Sequence, residues 1–106
     1  MEEIDGLQVD LGRLPPDLQS LSPVIREWAA LDEDARDRRL ESAPTEDLAQ
    51  FWLTVSTQFP SINAYLEEHG GEGQETPEAI ALAATAEAAL AASQVIERRT
   101  GSAPDD

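Results

Sequence analysis

The sequence predicts an all-α fold: a small bundle of four to five helices with an extended N-terminal arm. Three patterns carry that expectation. Leu48, Phe51, Trp52, Val55 and Phe59 fall, at helical spacing, within a stripe roughly 100° wide, which lets a helix bury one face and solvate the other. Leu14, Leu18, Leu21, Ile25 and Trp28 recur at intervals of four and three, the apolar seam of a second helical region. Thr76-Pro77-Glu78 is a helix start of cap, proline and acid, and Gly101 stands where the same helix should stop.

The fold has a narrow margin. Of 106 residues, 41% are hydrophobic, but 16 of these are Ala; Leu, Ile, Val and Phe total 23. A net charge of −15, from 22 acids against seven basic residues, opposes compaction through self-repulsion. Periodic placement of the large apolar side chains argues for a folded domain nonetheless.

From the N-terminus, residues 1–14 alternate, with Leu7, Val9 and Leu11 against Gln8 and Asp10. That is an extended segment, and one strand makes no sheet alone. It is expected to be an arm lying loosely on the domain or to reach a strand edge of a partner. The helical domain spans 15–100. Pro23 divides its first seam into a short turn, Asp17–Leu21, and a helix from Pro23 to about Leu31.

DEDARDRRLES (Asp32–Ser42) follows, with Asp32 as cap, Glu33 and Asp34 in the first turn and Arg36, Arg38 and Arg39 toward the C-terminal end, as the helix dipole favours. Pro44-Thr45 opens the aromatic helix, expected to end at Phe59-Pro60, with Ser61 capping another whose apolar face is Ile62, Tyr65 and Leu66. GGEGQE, residues 70–75, has the composition of a flexible linker. The last helix should run from Pro77 to about Arg99, leaving 101–106 as a frayed tail.

That last helix is apolar around most of its circumference. It suits a central helix buried on several sides. It also suits a homodimer helix spanning 77–99, with Leu82, Ala86, Ala89, Ser93 and Ile96 forming a seam of mostly small side chains at heptad-like spacing. Both readings stand at this point.

Composition excludes several chemistries. Without Cys there is no disulfide, thiol nucleophile or Cys-ligated metal, and without Lys no Schiff base or phosphate-loop lysine. His69 is the only histidine, so a two-histidine metal motif is impossible within one chain. Asp32, Asp34 and Asp37 resemble the start of a calcium loop, but Asp37 and Ala43 stand where glycine and glutamate are required. No nucleophile elbow or serine–histidine arrangement is evident. The chain is therefore read as a non-enzyme that needs no cofactor.

Seven arginines against 22 acids disfavour direct contact with nucleic acid. The acidic start lacks an apolar leader, and Ala79–Ala92 is too alanine-rich for a convincing membrane span, so a cytoplasmic location is expected. The leading functional expectation is a protein–protein interaction module with a basic partner: an adaptor, an assembly chaperone, or an inhibitor of the immunity or antitoxin kind. Leu7, Val9 and Leu11 of the arm and Asp32, Glu33, Asp34 and Asp37 are its candidate partner-binding residues. Alternatives are a nucleic-acid mimic that blocks a DNA-binding protein, and a ligand- or metal-using protein centred on His69, which stands among Glu67, Glu68 and Glu72.

Overall fold

A computed structural model describes residues 2–4, 6–69 and 76–101. Elements follow in the order β1 (Glu2–Ile4), β2 (Leu7–Val9), a 3-10 turn (Leu11–Arg13), α1 (Pro16–Gln19), α2 (Ser22–Trp28), α3 (Glu33–Ser42), α4 (Thr45–Ser56), α5 (Phe59–His69) and α6 (Pro77–Thr100). The expected all-α bundle is present, with a small hairpin at its start. The linker expected at 70–75 and the tail beyond Gly101 lie outside the described residues.

The N-terminal segment corrects the first expectation. β1 and β2 pair antiparallel, with Glu2 opposite Val9, Glu3 opposite Gln8 and Ile4 opposite Leu7. The chain thus supplies its own second strand. Gly6 turns the hairpin at φ +80°, a conformation glycine adopts without the steric cost of a Cβ. Alternation then sends Glu3 and Gln8 outward and Ile4 and Val9 inward, where they are 3% and 0% exposed. Leu11 and Leu14 are also buried, so the arm is part of the core. Gln19 Nε2 fastens the segment to α1 by donating to the carbonyls of Leu11 (3.0 Å) and Leu14 (2.7 Å).

The Leu18, Leu21, Ile25 and Trp28 seam is buried, as its spacing predicts. Pro23 sits in the first turn of α2, where its missing N–H costs nothing. Asp32 caps α3 by accepting from Ala35 N–H at 2.7 Å. Leu40 is the only fully buried residue of α3, so this helix depends on attachments at its end.

Arg99 of α6 supplies one. Its guanidinium donates to the carbonyls of Ala43 (2.7 Å), Glu41 (2.8 Å) and Leu40 (3.2 Å) and to Thr45 Oγ1 (3.2 Å). The carbonyls at the end of α3 lack helical partners, and a cation there also opposes the negative end of the helix dipole. Arg99→Ala is expected to cost about 1–2 kcal/mol, the exposed setting limiting the effect. Arg99→Lys should recover only part, since an ammonium lacks the planar fork that reaches several carbonyls at once. Urea midpoints of the two variants check this, and an unchanged midpoint for Arg99→Ala would show that water replaces these bonds without loss.

The boundary between α4 and α5 falls earlier than expected. α4 ends at Ser56, and Phe59 and Pro60 belong to α5, so Ser61 lies inside that helix and is not its cap. Thr54 and Thr57 hydroxyls donate back to the carbonyls of Gln50 (2.8 Å) and Leu53 (2.6 Å). Such bonds compete with continuation of a helix, while a proline in the first turn of α5 requires no donor. Phe59 therefore leaves the α4 stripe and meets Trp52 edge-on, ring centroids 5.5 Å apart.

α6 is the central helix. It packs against α4 most extensively, and against α2, α3, α5 and β2. Thr76 Oγ1 accepts from Ala79 N–H at 3.1 Å to cap its start, and Gly101 closes it in the left-handed conformation at φ +78°. Buried Ala79, Ala81, Ala88, Ala89 and Ala92 let neighbouring backbones approach closely. Thr85, 0% exposed, satisfies its hydroxyl on the Ala81 carbonyl at 2.9 Å. By length and composition α6 is apolar enough to cross a membrane, but half of that stretch is buried against the bundle.

Candidate functional site

A half-open groove of about 500 Å³ lies between α2, α3 and α4, within the range of ligand-binding clefts. Its aromatic wall begins with Trp28, the last residue of α2, and Phe51 of α4. Their rings stack with centroids 4.4 Å apart and planes 4° from parallel. Arg39 of α3 places its guanidinium over the Trp28 ring, 4.6 Å from the centroid. The same guanidinium pairs with the Glu27 carboxylate and donates to the Glu27 carbonyl at 3.4 Å. Phe51, Trp28 and Arg39 thus tie three helices together.

The other walls are rich in acceptors. Ser42 and Thr54 commit their hydroxyl hydrogens to the carbonyls of Arg39 (3.3 Å) and Gln50 (2.8 Å), which leaves oxygen lone pairs for a ligand. Asp47, in the first turn of α4, lines the groove and has no ion pair among the described residues. A second groove of about 320 Å³ lies between α3 and α6, bordered by Asp37, Glu41, Gln94 and Arg98. Arg98 and Glu41 bridge it at 2.9 Å.

The chain matches no protein-family model, and comparison with curated proteins and with solved structures finds no significant match. What the grooves can bind follows from their own chemistry.

The residues singled out for partner binding divide sharply. Asp32, Glu33, Asp34 and Asp37 are exposed, Asp32 being engaged as a helix cap and Asp37 bordering the second groove. Leu7 is half-buried, whereas Val9 and Leu11 are core residues and are not offered to a partner. The register of the hairpin turns them inward.

The proposed self-association seam divides in the same way. Leu82, Ala89 and Ile96 are buried within the chain, and only Ala86 and Ser93 are partly accessible. The bundle itself covers Leu82, Ala89 and Ile96. The large apolar residues that α6 leaves exposed are Ile80 and Leu90; ten residues apart, they lie about 15 Å from one another along the helix axis and form no such seam.

His69 occupies the last turn of α5, its ring 4.5 Å from that of Tyr65 and its Nε2 3.8 Å from Glu68 Oε2. Among the described residues no three His, Asp or Glu side chains gather as metal ligands. The groove was legible only in part. Trp28 and Phe51 announce apolar faces, but nothing local in the sequence brings Arg39 over Trp28 or places Asp47 on the same wall.

Proposed function

We propose that this protein is a non-catalytic interaction module that binds a basic protein partner through the acidic surface of α3 and the start of α4. One observation supports this above others: most of the arginines are used internally. Arg13 pairs with Asp10, Arg36 approaches Asp37, Arg39 pairs with Glu27, Arg98 pairs with Glu41, and Arg99 caps α3. Arg26 is also engaged. Glu33, Asp34, Glu46 and Asp47 are exposed and have no ion pair among the described residues.

Such a surface accelerates encounter with positive partners and repels negative ones. Since each of these acids stands in the first turn of a helix, the positive end of the dipole stabilises its charge. The surface is therefore tolerated by the fold while remaining available outside it.

The test is affinity capture from cell extract with the full chain, followed by elution with rising salt. The expected result is a defined basic protein, lost between about 0.05 and 0.5 M salt as screening shortens the range of attraction. A Glu33→Gln/Asp34→Asn/Asp37→Asn variant should retain much less of it. Equal retention by that variant, or capture of a partner without basic character, would remove the proposal. Competition by duplex DNA for the captured protein would transfer the reading to nucleic-acid mimicry.

A further inference from the structure

We infer that the α2–α3–α4 groove is a docking site for an arginine side chain carried on a basic peptide segment of the partner. This rests on the proposed binding of basic proteins and goes further by naming the point of contact and the group recognised. The chain itself displays the chemistry. In this groove a guanidinium, that of Arg39, is already held by the indole of Trp28 and by the carboxylate and carbonyl of Glu27. Arg39 compensates Glu27, but the groove also contains Asp47, for which the described residues supply no cation.

The remaining polar groups select the same kind of guest. Because the Ser42 and Thr54 hydroxyls donate to backbone carbonyls, their oxygens remain available as acceptors. Beside Asp47 they suit a group with several donors and a positive charge. An anion meets the uncompensated carboxylate of Asp47 and is repelled. A guanidinium has five N–H donors in a planar fork that can reach Asp47 and the two hydroxyl oxygens together, whereas an ammonium has three donors and no fork. Arginine is accordingly preferred over lysine.

The experiment uses the full-length chain and two soluble peptides of equal length and charge, one bearing arginines and the other lysines between glycine and serine. Binding is measured by calorimetry at low salt, while the two indole N–H signals are followed by NMR. The arginine peptide is expected to bind about fivefold more tightly than the lysine peptide and to shift the Trp28 signal while leaving that of Trp52 in place. Asp47→Asn should weaken the arginine peptide about five- to tenfold and abolish the preference. Glu87→Gln, the same loss of charge on the exposed face of α6, should change affinity less than twofold, an expectation for exposed charges outside the contact. Thermal melts establish that both variants remain folded.

Equal affinity for the two peptides, with Asp47→Asn no different from Glu87→Gln, would overturn the groove as the site while leaving a diffuse acidic surface as the binder. No binding of either peptide at low salt would overturn both proposals.

Discussion

Replacement of Leu82 by alanine is expected to destabilise the folded chain by about 3 kcal/mol, within the range for a buried leucine that leaves a cavity. Leu82 is 0% exposed on the central helix, surrounded by elements that cannot all close onto a smaller side chain. For a domain whose total stability is of order 5–15 kcal/mol, that is a large share. Urea unfolding followed by circular dichroism measures it, at two protein concentrations. A loss independent of concentration is expected, since the side chain is buried inside one chain. If the loss instead appeared as a concentration-dependent midpoint with little change in the isolated chain, Leu82 would belong to an interface between copies.

Val9→Asp should be at least as damaging, with a cost of about 4 kcal/mol or more. Val9 is 0% exposed on the inward side of β2, and a carboxylate there has to be buried without a cation or to expel the hairpin. A second acid stands nearby. Glu78, 5% exposed in the first turn of α6, accepts from the backbone N–H of Asp10 at 3.4 Å, so another negative charge is especially unwelcome. Gln8→Asp, one residue away on the exposed side of the same strand, should change stability by about 0.5 kcal/mol or less. Unfolding of the pair decides the standing of the N-terminal segment. Equal, small effects would mean that the hairpin is a loosely held appendage.

The hairpin also shows where reading the sequence fell short. Asp5-Gly6 is the dipeptide favoured in two-residue hairpin loops, and it separates Glu2–Ile4 from Leu7–Val9. The alternation of Leu7, Val9 and Leu11 was legible. Its partner strand was not, because three residues with one apolar side chain carry almost no periodic signal. The α4–α5 boundary misled for a different reason. The 48/52/55/59 spacing is genuine on paper, but Phe59 reaches Trp52 from a new helix, and a stripe does not reveal a break between its members.

By contrast, the sequence alone determined the features whose causes are local. Asp32 and Thr76 each accept from an N–H three residues ahead, Pro77 begins α6, and Gly101 ends it. Each depends on a side chain or backbone preference acting within one turn, so a few adjacent residues suffice to specify it. The buried Leu18–Trp28 seam and the Leu48–Val55 stripe were legible because periodicity defines which face is apolar.

Only tertiary structure decided what those faces meet. α6 is apolar nearly all round, and its pattern fits a central helix and a dimer helix equally; packing against four helices and β2 selects the first use for Leu82, Ala89 and Ile96. The groove is non-local in the same sense. Trp28, Arg39, Asp47 and Phe51 come from three helices, and their convergence depends on crossing geometry set by the whole core. A cap forms from its neighbours in sequence, whereas a pocket forms only when distant segments share the free energy of burying one another.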